Sequence, residues 1–233
     1  MKNVKAWMVM IGALAAAAPA AAQTKPAAAT DLYHVHFAKA APGQAAALAK
    51  SLMEPDKSSA MPEHFVVLRH QEGDDWDYMV IQHLGPKTEI SAATPAPPAS
   101  VRSLNAWHDD TFVSGPSWAE FSRAMGIGGA AQAGALYVVG VHRPVPGHRE
   151  QLEKALTAAA PSGAIQTGEI LLQHVEGGAW SFATITRYNS WQDFASDHTS
   201  AQSAAAAPGG WADIREHSAF HRDTIADRIH PSK

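Results

Sequence analysis

The sequence predicts an α+β fold built from two successive β-α-β-β-α-β units. Three observations carry that prediction: the chain is written twice, each copy alternates strand and helix patterns, and Pro-Gly opens the first helix of both. Under a shift of 104 residues, Leu32-Tyr33 meets Leu136-Tyr137, Pro42-Gly43 meets Pro146-Gly147, and Leu48, Lys50 and Leu52 meet Leu152, Lys154 and Leu156. The match runs without a gap through Leu68/Leu172, His70/His174, Glu72/Glu176, Gly73/Gly177, Trp76/Trp180 and Ile81/Ile185. From Tyr33 to Ile81, 15 of 49 positions are identical, far above chance. Later the shift becomes 113, so that Arg102 meets Arg215 and Ala106 to Val113 meet Ala219 to Ala226. The difference is an insertion of nine residues in the second copy, between Arg187 and Trp211. The repeats are expected at 32–113 and 136–229, joined by a Gly- and Ala-rich linker over 114–135.

Each element has a local cause. Alternation around Tyr33, Val35 and Phe37 predicts a first strand with one buried face. Pro-Gly ends it, and Ala45, Leu48, Ala49 and Leu52 then fall on one face of a helix. In the second copy Leu152, Ala155 and Leu156 make the same stripe. Phe65 to His70 and Trp76 to His83 read as strands around Glu72-Gly73, a turn that uses glycine's freedom in φ. The second copy repeats them as Ile170 to His174 and Trp180 to Tyr188, around Gly177-Gly178. A second helix is expected over Pro98 to Ala106, and from Ser190 onward in the second copy, with a break at Pro208-Gly209-Gly210. The segments around Trp107 and Phe220 close each unit as strands.

This double β-α-β-β-α-β pattern, with Pro-Gly at the first helix, resembles the ferredoxin-like dimeric α/β-barrel superfamily, which includes small monooxygenases, cyclases, EthD-like and NIPSNAP-like proteins and some haem enzymes. The resemblance implies two tandem ferredoxin-like repeats that form an intramolecular pseudo-dimeric α+β barrel. It also implies a site between sheet and helices or inside the barrel. A single unit would leave one apolar sheet face wet, and a covalent second copy covers it at high effective concentration. Further oligomerisation is therefore not required.

Composition narrows the class. The chain has 233 residues, 46% hydrophobic, with thirteen His and no Cys, which excludes disulfides, thiolate nucleophiles and Cys-ligated metal. Lys2 and Lys5 precede an apolar run that ends in Ala20-Ala21-Ala22, so residues 1–22 read as a signal peptide and the mature chain as periplasmic or secreted. Without that leader, 16 basic face 22 acidic residues, a net charge of −6. No basic stripe suits nucleic acid, and no membrane span is expected in the mature chain.

The histidines are the main chemical resource. His34 and His36 share one face of the first strand, whereas Tyr33, Val35 and Phe37 suit packing beneath helices, so the pair is expected to look into the barrel or its cleft. Val138 and Gly140 replace them in the second copy. They read as a general base with a helper, as two metal ligands, or as structural histidines. His108-x-Asp110 and His221-x-Asp223 recur with Arg102 and Arg215 six positions earlier. An i, i+2 spacing of about 6–7 Å is long for a direct bond. Such a motif fits a base oriented by a carboxylate or an Arg–Asp structural network.

His70-x-Glu72-Gly and its copy read mainly as turn stabilisers. His83 is a candidate for the same cavity as His34 and His36, and Trp76 and Trp180 are core or cavity-wall aromatics able to stack a ligand. Were the first and last strands neighbours, His34, His36 and Asp110 would make a two-His-one-carboxylate metal site. Gly126-Ile127-Gly128-Gly129 lacks the context of a phosphate loop, and no Gly-x-Ser-x-Gly elbow occurs.

The expected function is binding of a small hydrophobic or aromatic molecule. If catalytic, His34 or His36 would abstract a proton without a cofactor, Arg102 or His108 would stabilise the oxyanion, and Asp110, His83 and Trp76 would contact the ligand. The alternatives are a metal- or haem-binding protein and a non-catalytic stress-response or carrier protein.

Overall fold

The computed structural model describes residues 31–57, 59, 61–86, 102–128, 134–158, 165–203 and 205–231. The expected leader at 1–22, and residues 98–101 of the expected second helix, lie outside them. Among the described residues, eight antiparallel strands and five helices make an α+β fold: β1 Asp31–Ala40, α1 Ala45–Leu52, β2 Phe65–Glu72, β3 Tyr78–Pro86, β4 Asn105–Gly115, α2 Trp118–Met125, β5 Leu136–Pro144, α3 Arg149–Leu156, β6 Gly168–Gly177, β7 Phe182–Tyr188, α4 Trp191–Ser203, α5 Trp211–His217 and β8 Ser218–His230. No helix among the described residues is long and apolar enough to cross a membrane.

The strands close into a barrel in the order β1-β3-β2-β8-β5-β7-β6-β4. Within it the first four strands run β4-β1-β3-β2 and the last four β8-β5-β7-β6, the same order. The registers recur as well. His36 lies opposite Asp110 as Gly140 lies opposite Asp223, and His70 opposite Ala226 as His174 opposite Val113.

The barrel interior is filled by strand residues of one parity. Tyr33, Val35 and Phe37 of β1 meet Leu68, Met79, Ile81, Tyr137, Val139, Leu172 and Ile185 in one buried cluster. The other parity of β1 faces the helices: Ala38 packs with Leu48 of α1, Phe65, Val67 and Tyr78 in a second cluster. The face reading of β1 is therefore corrected. Tyr33, Val35 and Phe37 fill the barrel, and His34 and His36 stand on its helix-side face.

One end of the barrel is plugged. The joint between the halves, expected as linker, contains α2, which starts at a capping box of Ser117 and Glu120 and stops at Gly126 in the left-handed region. Phe121 and Met125 of α2 are buried in the barrel cluster. The tyrosines at equivalent places in β1 and β5 hold the plug from both ends. Tyr33 donates to the Pro116 carbonyl at 2.7 Å, and Tyr137 to the Met125 carbonyl at 2.8 Å.

In the second half the expected break at Pro208-Gly209-Gly210 separates α4 from α5. In the first half the strand begins at Asn105, so the end of the expected helix is strand instead.

Candidate functional site

Three imidazoles converge on one carboxylate at the β1–β4 pair. His36 lies opposite Asp110 and His34 opposite Phe112. The Asp110 Oδ1 atom is 2.9 Å from His34 Nε2 and 2.7 Å from His36 Nδ1, and Oδ2 is 2.8 Å from His108 Nδ1. Burial works against the charge of Asp110, but the hydrogen bonds from His34 and His36 outweigh it and hold the carboxyl well below the usual carboxylate range. The cluster is open to solvent: the side chains of His34, His36 and His108 are 28%, 18% and 50% exposed.

The structure thus brings together His34, His36, His108 and Asp110. His108 Nδ1 reaches Asp110 Oδ2 at 2.8 Å, so the i, i+2 pair bonds directly where the backbone spacing had argued against it. Arg102 is exposed, three residues before β4 begins, and pairs with none of these groups among the described residues.

His83 belongs elsewhere. It is 3% exposed, inside the barrel at the plugged end, and its Nε2 donates to Asp31 Oδ2 at 2.8 Å. The His83 ring stacks on Trp118, and its Nδ1 lies 3.2 Å from Nδ1 of His64. His70 and His174 are not turn residues. The strands run on past them, and each ring meets a tryptophan edge-on, His70 at Trp76 and His174 at Trp180.

The other end of the barrel is open and forms a cavity of about 240 Å³. Five aromatic side chains wall it: Phe37, Trp76, Trp107, Trp180 and Phe220. Asp109, Asp74 and Arg143 supply its polar groups. Burial raises the Asp109 pKa above the ordinary value, reinforced by Asp110 beside it and opposed by His108, His36 and His174. The rim is tied by the Arg222–Asp74 ion pair at 2.6 Å and by Lys39 with Asp75.

Of the residues singled out from sequence, only Trp76 and Trp180 line this mouth; His34 and His36 do not. Asp109, Trp107, Phe220 and Arg143 were missed. The signal was present in the repeat, because Trp107 and Phe220 are aromatic at equivalent positions, as Trp76 and Trp180 are.

The second half lacks the imidazole cluster but has its own buried histidine. His142 is 3% exposed, stacks on His221 with ring centroids 4.6 Å apart, and has Nε2 3.1 Å from Thr184 Oγ1. Burial, and then His221, push its pKa down to about 4, with Asp223 pulling the other way. A folded-state pKa below the unfolded value near 6.5 means that the unfolded chain binds the extra proton first. Stability contributed by neutral His142 is therefore present above about pH 6.5 and is lost as pH falls towards about 4. The loss is expected to reach on the order of 3 kcal/mol. Urea midpoints between pH 7 and 4 check this: His142→Gln should flatten the acid slope, and an unchanged slope would refute the assignment.

No protein-family profile matches the sequence, and no curated relative matches it. Among solved structures, an anthrone oxidase-like protein is similar over 87% of this chain and 92% of its own, with a TM-score of 0.56 and 12% identity. A provisionally assigned monooxygenase from Lactobacillus acidophilus NCFM aligns over 85% and 94%, with a TM-score of 0.44 and 10% identity. The first likeness is one of fold, an α+β barrel.

Proposed function

We propose that the protein binds a small, flat, largely apolar molecule in the open mouth of the barrel. One observation carries this reading: a cavity of about 240 Å³ walled by five aromatic side chains, with a carboxyl group among them. Ligand sites combine apolar walls with a few placed polar groups, and aromatic rings offer faces and edges to a planar guest. Asp109 is the acceptor for a hydroxyl or an acidic hydrogen on that guest, and Arg143 faces it with positive charge. Monooxygenase- or cyclase-type chemistry fits such a guest, and the anthrone oxidase-like structure shares the fold. The proton acceptor would then be Asp109 rather than His34 or His36, which stand on the helix side of β1.

Quenching of tryptophan fluorescence tests the reading, with 1-naphthol as the probe. Saturable quenching is expected, weakened about tenfold in Trp180→Ala, equivalent to ~1.4 kcal/mol. Absence of saturation in the wild-type chain, or full binding in Trp76→Ala/Trp180→Ala, would sink it. Saturation without oxygen uptake or product would make the protein a carrier.

Two finer readings accompany this one. We read the barrel as a fused pseudo-dimer of two ferredoxin-like repeats, supported by the matching strand orders and registers. Residues 1–22 are read as an export leader, supported by the basic, apolar and small-residue succession. Intact mass of the protein recovered from the periplasm or medium should then begin at Gln23, and a mass that includes Met1 would refute the leader.

A further inference from the structure

The imidazole cluster on the helix-side face does not line the barrel mouth, and its chemistry points to a different ligand. We propose that His36, His108 and Asp110 form a binding site for a late first-row divalent metal ion, Zn²⁺ or a close relative. A nitrogen or oxygen from each of the three lies within 4.8 Å of the other two. Metal–ligand bonds of about 2.0–2.2 Å set tetrahedral ligands roughly 3.3 Å apart, so small side-chain rotations close the set. The backbone need not move, because β1 and β4 are paired in register, His36 opposite Asp110 and Ala38 opposite His108. Two imidazoles and one carboxylate favour Zn²⁺, Cu²⁺ or Ni²⁺ over Mg²⁺ or Ca²⁺, which take oxygen.

His34 is the outer partner. Its Nε2 lies 2.9 Å from Asp110 Oδ1, the oxygen that His36 also approaches, and helps fix the carboxylate, and its ring rests against Phe112 with centroids 5.1 Å apart. This differs from the trio suggested by sequence, in which His34 stood in the place of His108. The exposure of all the side chains lets an ion enter from solvent and leaves a coordination position for water.

The second half is an internal control. It keeps the His–Asp pair, with His221 Nε2 2.9 Å from Asp223 Oδ1, but has Val138 and Gly140 where His34 and His36 stand. Among the described residues, the first-half trio is the one group of three or more such ligands placed to share an ion. The duplicated scaffold thus keeps the metal site in one copy.

Calorimetric titration of Zn²⁺ into the untagged, EDTA-treated chain tests the proposal, with Co²⁺ as an optical probe. One Zn²⁺ per chain is expected, with visible Co²⁺ bands of a low-coordinate nitrogen–oxygen site. His36→Ala and Asp110→Asn should each abolish that binding, His34→Ala should weaken it about tenfold as an outer-sphere loss, and His221→Ala should leave it unchanged. Imidazole ¹⁵N spectra of the wild-type chain give a readout that needs no variant: Zn²⁺ should shift one ring nitrogen each of His36 and His108. No stoichiometric binding, binding that survives His36→Ala, or an equal loss in His221→Ala would overturn the site. Quenching by 1-naphthol in His36→Ala separates this proposal from the one about the barrel mouth, because it should match the wild type.

Discussion

Asp31→Ala is expected to destabilise the fold by about 3–5 kcal/mol, because it removes two hydrogen bonds to one charged acceptor, worth about 1.5–3 kcal/mol each. Asp31 and His83 are 8% and 3% exposed, and their contact is 2.8 Å. The same Asp31 oxygen accepts the Trp118 backbone N–H at 2.9 Å. Trp118 is the first residue of α2, so the carboxylate also sits at the positive end of the helix that plugs the barrel. Alanine would strand the His83 ring nitrogen among Tyr33 and Trp118 and free the start of the plug. Asp31→Asn keeps an oxygen where both donors converge but removes the charge, and its loss should be smaller, about 1–3 kcal/mol. Urea unfolding followed by tryptophan fluorescence gives both values. A loss below about 1 kcal/mol in the alanine variant would mean that the pair does not anchor the plug.

That anchor was not legible in the sequence, and the reason is general. Asp31 and His83 are 52 positions apart, and nothing local marks either as the other's partner. Patterns with a short period fared better. Alternation at Tyr33, Val35 and Phe37, the Leu48 stripe and the duplicated Pro-Gly located strands and helix where the structure has them. Alternation shows that the two faces of a strand differ, but not which of them is enclosed. A closed barrel has a small interior that bulky side chains fill, so Tyr33, Val35 and Phe37 went inside. The helix-side face is covered only in part, and there His34 and His36 remain in reach of water.

The cluster itself was half visible. The adjacency of β1 and β4 brings His36 to Asp110 as the superfamily resemblance implied, but the reach of His108 depends on side-chain length, which strand spacing does not report. The barrel mouth was the least legible, because its walls come from four strands, β1, β4, β5 and β8, and from the β2–β3 and β6–β7 hairpins.

Gly73→Ala and Gly177→Ala should each cost roughly 2–3 kcal/mol, by strain at a positive φ and by a backbone collision. The two glycines have φ of 121° and 117°, and they sit at the equivalent hairpins of the two halves. A Cβ on Gly177 would lie 2.3 Å from the Asp110 carbonyl oxygen, and one on Gly73 would lie 2.4 Å from that of Asp223. Each hairpin therefore presses on the closing strand of the other half, and the offending atom is backbone that no rotamer can move aside. The same crossing is tied by a hydrogen bond from each hairpin. The Gly178 N–H donates to Thr111 Oγ1 at 2.9 Å, and the Asp74 N–H to Thr224 Oγ1 at 3.2 Å. Both threonines are buried, so a shifted hairpin leaves those groups unpaired as well.

The β2–β8 and β4–β6 pairings are separate seams, and the two costs should add to within about 0.5 kcal/mol. Hydrogen exchange localises the effect. Gly177→Ala should speed exchange along β4 and β6 and leave β2 and β8 protected, whereas Gly73→Ala should do the reverse. Uniform loss of protection from either substitution would show that the barrel opens as one unit and not along its seams.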